Sequence, residues 1–319
     1  MADIPSPLIS VVFTSYNHQK YLKQAVDSIL NQTFKDFEFI IIDDCSTDGS
    51  RSILEAYQNI PNVRITFLEK NTGSYVKASH YGALQATGKY LLFAQCDDFA
   101  ENTQLSYLSE KALSYQDTVG VVFSKSNMIN DKGEFLGDDY TLRNKSFREK
   151  CAADVFLDGK QMRSFLSYAC VIPNLSAALI KKDLYFEAGG LPEKYAMAAD
   201  WAFWLSLSEM TNFYYVTQPL NNFRQHNATI RSKTKIDNQL LEIFTLFTEH
   251  IKTYNITGKS RNEMLTGFGN IWFTYFLEAP RSVAASAIKF ISKISAKNKF
   301  MSYFLLKGAL KKIGFIINK

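Results

Sequence analysis

Two adjacent carboxylates, Asp97 and Asp98, close an apolar run that reads Leu91-Leu92-Phe93-Ala94-Gln95-Cys96 before them. A short apolar run of this kind reads as a buried strand. Two like charges at its mouth repel, and either is costly to bury without a partner. A divalent cation clamped on a phosphate is the chemistry that fits; the plain alternative is a solvated Asp-Asp turn. Three other apolar runs end in polar clusters: Thr14-Ser15-Tyr16-Asn17 after Phe13, Asp43-Asp44 after Ile42, and Asn71-Thr72-Gly73 soon after Leu68. Further along, Asp200 stands in the first turn of an apolar helix pattern, and Phe223-Arg224-Gln225-His226 offers a guanidinium and an imidazole.

The elements that must position these groups alternate in type. Strand patterns at residues 9–13, 37–42, 63–68 and 90–94 are separated by helix patterns, one with Tyr21, Leu22, Ala25, Val26, Ile29 and Leu30 on a single stripe. That alternation predicts βαβ units and a mostly parallel sheet flanked by helices. Ligands of such sheets bind beyond the carboxyl ends of the strands, where the four polar clusters fall together. After residue 100 the reading gives a helix at 105–113, a strand at 119–123 and a poorly patterned excursion over 130–160. Strand-like 173–180, a short helix ending at Gly189-Gly190, the Asp200 helix and two short strands at 214–216 and 220–224 follow. Helical patterns at 240–250, 264–277, 283–294 and 300–317 make a C-terminal extension. The expected division is therefore a sheet-bearing domain over 1–230, in two halves at 1–100 and 101–230, and a helical extension over 231–319.

Composition bounds the partners. A chain of 319 residues with 46% hydrophobic and 14% aromatic residues has a sizeable core. There is no G-x-G-x-x-G after the first strand and no Walker Gly-Lys-Ser/Thr, which counts against dinucleotide dehydrogenases and P-loop NTPases. Four scattered cysteines fit a reduced, cytoplasmic protein better than a disulfide framework or a zinc site. Neither a leader peptide nor a membrane span is expected. Nucleic acid is not an expected partner. The net charge of +5 hides an asymmetry, because residues 281–319 hold nine Lys and Arg and no Asp or Glu, leaving the rest of the chain at −4. A basic, apolar tail suggests an anionic membrane surface, at the inner face of the plasma membrane. Its alternatives are packing on the catalytic domain or on a second subunit of a homo-oligomer.

Taken in order, Ser10–Asn17, Asp43–Ser50, Asn71-Thr72-Gly73 and Cys96-Asp97-Asp98 closely resemble the inverting family-two glycosyltransferases of the GT-A fold, such as bacterial surface-polysaccharide glycosyltransferases. The resemblance covers about residues 8–230; Gly189-Gly190-Leu191-Pro192, Ala199-Asp200-Trp201 and Phe223–His226 continue it. It implies a GT-A, Rossmann-like α/β fold and transfer of a sugar from a nucleotide-diphosphate donor, most simply a UDP-sugar, to a hydroxyl of a glycan or lipid-linked acceptor. It places Thr14 and Tyr16 at the base and ribose, Asp44 at the ring N–H of a pyrimidine with Asp43 nearby, and Gly73 where backbone approaches the diphosphate. It puts Asp97 on the ribose, Asp98 on Mg²⁺ or Mn²⁺, and Arg224 and His226 in a loop over the phosphates, with His226 either an additional metal ligand or a structural histidine. Asp200 becomes the base that deprotonates the acceptor; read without the resemblance, it equally favours its helix N-terminus. Asp44 could likewise cap the following helix.

The sequence departs from the family pattern in three places. Ser79-His80 stands where relatives carry Arg-Asn, with Lys77 near enough to reach the diphosphate. Cys96-Asp97-Asp98 replaces Asp-x-Asp, and Ala199-Asp200 replaces Glu-Asp. Two other readings share the same sheet: a nucleotidyltransferase, and an inactive sugar-nucleotide binding module. The first is disfavoured because Thr14–Gln19 is no Gly-rich basic loop, the second because Asp44, Asp98 and Asp200 are present.

Overall fold

The run Ile9-Ser10-Val11-Val12-Phe13-Thr14-Ser15 is buried along its whole length, as a strand covered on both faces must be. It is the first element of a computed structural model that describes residues 6–139, 145–172, 174–226, 234–278 and 303–311. In chain order the elements are β1 (Ile9–Ser15), α1 (Gln19–Leu30), β2 (Phe37–Asp43), α2 (Ser50–Glu55), β3 (Val63–Phe67), α3 (Tyr75–Ala83), β4 (Tyr90–Gln95) and β5 (Phe99–Ala100). Then come α4 (Gln104–Ser114), β6 (Val119–Ile129), β7 (Phe135–Asp138), α5 (Lys145–Lys150), β8 (Val155–Leu157) and α6 (Gly159–Leu166). A 3-10 turn at Leu175–Ala177 leads into β9 (Ala178–Lys181), α7 (Lys182–Glu187), α8 (Ala199–Leu207), β10 (Asn212–Arg224), α9 (Ile236–Thr253) and α10 (Gly258–Glu278). Residues 303–311 form α11.

One sheet carries the order β3-β2-β1-β4-β9-β6-β10-β5, with β7 beside β6 and β8 beside β10. The expected parallel pairing holds for β3-β2-β1-β4 and again for β6-β10. Between them β9 runs antiparallel to both β4 and β6, so the sheet is mixed. Alternation along β1 sends Val11 and Phe13 to the face covered by α1 and α4, and Val12 to the opposite face. Register sets the site: Thr14 lies opposite Gln95, and Ser15 opposite Asp43, so the motif loops leave the sheet at one edge.

Three local expectations changed. The strand pattern at 173–180 opens with the 3-10 turn and becomes strand only at Ala178. The two short strands are one strand, β10, interrupted by register shifts between Val216 and Pro219 and between Pro219 and Asn221. The 130–160 excursion contains β7, α5 and β8.

The C-terminal helices share the main core. Leu240, Ile243, Leu246 and Phe247 of α9, and Met264 and Phe268 of α10, pack in one cluster with Phe203 and Trp204 of α8. At about 1.5–3 kcal/mol per buried large side chain, the extension is part of what stabilises the catalytic half. In α11, Phe304, Leu305 and Ala309 are buried while Tyr303, Leu306 and Leu310 are exposed. The backbones meet closely, since a Cβ on Gly308 would lie 2.4 Å from the Asn270 nitrogen. Among the described residues no helix is long and apolar enough to cross a membrane. The 283–294 helix pattern, and the 300–317 pattern beyond 303–311, lie outside the described residues.

Candidate active site

The loops at the sheet edge are tied to one another by short polar side chains. Asn17 and Cys45 adopt left-handed backbone, at φ 52° and 63°. The Asn17 side chain accepts the Thr47 N–H at 2.7 Å, and Ser46 Oγ accepts the Asn17 N–H at 3.0 Å. Gln19 accepts the Gly49 N–H at 2.6 Å, and a Cβ at Gly49 would sit 2.4 Å from that same oxygen. Asp43 is buried and receives both the N–H (3.0 Å) and the hydroxyl (2.6 Å) of Ser46. Asp44 is buried and receives the Thr72 N–H at 2.7 Å and its hydroxyl at 2.8 Å, which fixes the loop carrying Gly73. Gly73 has φ +77° and open space around it, so backbone is presented bare. Thr14 is buried between β2 and β4, and Tyr16 projects outward at 44% exposure.

Asp97 and Asp98 divide sharply. Asp97 Oδ2 lies 3.1 Å from His226 Nε2. His18 Nδ1 is 2.7 Å from the Tyr16 carbonyl, to which it donates. One ligating atom from each of His18, Asp97 and His226 falls within 4.8 Å of the others. Burial alone would raise the Asp97 carboxyl, but the His226 hydrogen bond and the charges of His18 and His226 hold it below the ordinary range.

Asp98, expected at the metal, turns into the protein instead and is only 4% exposed. Its oxygens accept Ser176 Oγ at 2.6 Å, Asn174 Nδ2 at 3.3 Å and the Arg224 N–H at 3.0 Å. Burial, and then the Asp97 charge, push it up to about 7. The two lie in the turn between β4 and β5, where Ser176, Asn174 and the Arg224 N–H hold Asp98 inward and only Asp97 reaches a histidine. Cys96 is buried, and burial with the Asp97 charge pushes its thiol well up, so it is a poor metal ligand.

Arg224 was expected over the phosphates, yet its side chain is an internal brace. It donates to the Asp97 carbonyl (2.8 Å), the Asn130 carbonyl (3.0 Å) and Gln24 Oε1 (2.8 Å), and lies 4.4 Å over the Tyr21 ring. Lys77 is exposed and faces Glu193 at 3.8 Å, not the strand ends.

Asp200 lies in the first turn of α8, its Oδ1 accepting the Trp201 N–H at 2.7 Å. Tyr75, at the start of α3 and two residues past Gly73, has its phenol pushed well up by burial and then by the charge of Asp200. The charge of Asp200 is thus felt at the start of the helix that follows the Gly73 loop. Sequence reasoning missed His18, although it directly follows the Tyr16-Asn17 cluster at the same strand end, marked Thr72 only as part of Asn71-Thr72-Gly73, and missed Tyr75, Ser176 and Asn174, which no motif marks.

Residues 10–156 match Glycosyl transferase family 2. This stretch is a family 2 glycosyl transferase domain. Among relatives, TuaG of Bacillus subtilis strain 168 is 37% identical over 117 residues, 35% of this chain and 46% of that protein. The poly(ribitol-phosphate) beta-N-acetylglucosaminyltransferase TarS of Staphylococcus aureus strain Mu50 is 25% identical over 277 residues, 83% of this chain and 44% of that protein. The chain thus spans less than half the length of these curated relatives. The crystal structure of S. aureus TarS 1-349 in complex with UDP-GlcNAc superposes with a TM-score of 0.70 at 19% identity, over 95% of this chain and 89% of that one. The mannosyltransferase PcManGT of Pyrobaculum calidifontis, in complex with GDP-Man and Mn²⁺, gives 0.53 at 14% identity over 97% of this chain and 88% of that one. The family 2 domain has the GT-A fold.

Proposed function

We propose that this chain transfers a sugar, with inversion, from a UDP-sugar to a hydroxyl of a surface glycan or its lipid-linked precursor. One observation carries the reading: the Asp44–Thr72 loop and the His18–Asp97–His226 cluster gather at the strand ends of a sheet that begins in the family 2 match, residues 10–156. The names of TuaG and TarS, which concern teichuronic acid and poly(ribitol-phosphate), support a cell-surface polymer as acceptor. The UDP-GlcNAc complex of TarS supports a UDP-sugar donor.

In this reading Thr14 and Tyr16 flank the base, and Asp44 shapes the pocket by holding Thr72 while its remaining lone pairs face the ring N–H. The bare backbone at Gly73 admits the diphosphate. His18, Asp97 and His226 hold the divalent ion, and their two imidazoles favour Mn²⁺ over Mg²⁺, which prefers oxygen ligands. When bound, the ion neutralises the charge that grows on the leaving diphosphate. Asp200 takes the proton of the acceptor hydroxyl as that oxygen attacks from the face opposite the leaving group. Asp98 and Arg224 act from behind, fixing the Asp97 backbone.

The test uses the full chain with UDP-, GDP- and dTDP-sugars. Thermal shift with Mn²⁺ should select UDP-sugars, and slow Mn²⁺-dependent release of UDP should follow. Release of pyrophosphate would point to nucleotidyl transfer instead, and no release with any donor to an inactive binding module.

We also propose that the tail meets an anionic membrane. Support comes from the exposed Tyr303, Leu306 and Leu310 beside Lys307 and Lys311, within a region of nine basic and no acidic residues. Sedimentation with phosphatidylglycerol vesicles but not with phosphatidylcholine vesicles is the expected result; equal recovery with both would remove the proposal.

A further inference from the structure

Helix α8 carries Asp200 in its first turn, yet its N-cap residue offers no capping side chain. The N-cap position is Ala198, which has no side chain able to accept a hydrogen bond. The N-terminal amides of a helix are orphans unless a partner is found. Here Asp200 itself takes the Trp201 N–H, and the amides that lead into the helix, Ala198 included, are met from α9. Glu242 accepts the backbone N–H of Met197 at 2.9 Å and Ala198 at 3.1 Å through Oε2, and that of Ala196 at 3.3 Å through Oε1.

Seven residues on, two turns along the same face, Glu249 accepts the Tyr195 hydroxyl at 2.7 Å and pairs with Lys194. Two carboxylates of α9 thus grip five consecutive residues, 194–198, immediately before α8. Behind them, Trp201 packs edge-on against Phe247 of α9 at 5.5 Å and donates its indole N–H to the Leu166 carbonyl at 2.9 Å. Charge-assisted bonds to three amides from a single carboxylate are strong and directional. They set where α8 begins, and so where its second residue, Asp200, points.

We infer that Glu242 is a positioning residue for glycosyl transfer, holding Asp200 in register through the backbone of residues 196–198. The inference rests on Asp200 being the base, and it makes the helical extension a working part of the site. Misplacing a reacting group by about 1 Å can cost on the order of 100-fold in rate. Removal of Glu242 should therefore lower kcat while leaving the donor pocket, built by other loops, unchanged.

The experiment compares Glu242→Ala and Glu242→Gln in the full chain. UDP binding is measured by calorimetry with Mn²⁺, and turnover as UDP released per UDP-binding site. Glu242→Ala should lose about 10- to 100-fold in kcat with the donor KM within about twofold of the parent. Glu242→Gln, which keeps the length and one acceptor oxygen, should fall between the two. Amide hydrogen exchange at residues 196–201 should quicken in the same order, a readout that needs no turnover. Full kcat per binding site in both variants, or unchanged exchange at 196–198, overturns the inference. If Glu242→Ala does not fold, Glu242→Gln carries both measurements alone. Should the parent release no UDP, the transferase reading falls, while the exchange series still decides whether Glu242 holds this backbone.

Discussion

The proposed donor side and the proposed base side of the site are held by different means. On the donor side each loop is secured by a neighbour near in sequence: Asn17 by Thr47, Gln19 by Gly49, Asp44 by Thr72, at separations of 28–30 residues. On the base side, α8 begins without a cap of its own and is gripped by Glu242, 44 residues beyond Ala198. The first arrangement is built within the βαβ units of β1 to β4, where the proposed nucleotide pocket lies. The second needs the chain to run through β10 and return as α9. A donor pocket can therefore be recognised from motifs, while the alignment of the base is a property of the whole chain.

The largest test of this contrast is Asp200→Asn. It should cut turnover by on the order of 10²–10⁴ while leaving UDP affinity unchanged by calorimetry. Near-parental turnover would remove the base from this side altogether. Next, Asp97→Asn and Asp98→Asn separate two residues that sequence cannot rank. Asp97→Asn should lower turnover on the order of 100-fold and abolish the Mn²⁺-dependent thermal shift with UDP. Asp98→Asn should keep that shift but cost about 1–3 kcal/mol in urea unfolding, because its buried donors lose a matched partner. The opposite pattern would restore Asp98 as the metal-facing residue.

A smaller effect is expected at the helical extension. Gly308→Val forces side-chain atoms into the α10 backbone and should cost about 1–3 kcal/mol, with UDP affinity unchanged. The smallest concerns pH. Burial would raise the Glu209 carboxyl, but hydrogen bonds from His250 and Arg163 hold it below its ordinary 4.5. A carboxyl lowered in the folded state stabilises the fold above its unfolded value and loses that contribution as pH falls through the folded one. The melting temperature should thus decline below about pH 4.5, and Glu209→Gln should flatten that decline.

How much could be read in advance follows the same division. The strands β1 to β4, the parallel pairing between them and the convergence of Thr14, Asp44, Gly73 and Asp97 were legible because hydrophobic periodicity and turn chemistry are local signals. The surroundings of Asp97 and Asp98 were not, because both lie in the turn after β4 and only tertiary partners decide which carboxylate meets His226 and which meets Ser176 and Asn174. Arg224 misled for a related reason: a guanidinium near a phosphate site reads as a ligand, and its three acceptors lie at Asp97, Asn130 and Gln24, far apart in sequence. Glu242 carried no signal, being one glutamate on an amphipathic helix with nothing to mark which loop it would meet.

The crossed bonds between the Asn17–Gln19 and Ser46–Gly49 loops bear on redesign. Neither loop is a separable module. Replacing one alone would strand the acceptors and donors of the other, and would place any new side chain at position 49 against Gln19. A change of nucleotide preference is better sought by transplanting both loops as a matched pair, and libraries that vary residues 17, 19, 46, 47 and 49 together should yield more folded variants than libraries that vary either loop by itself.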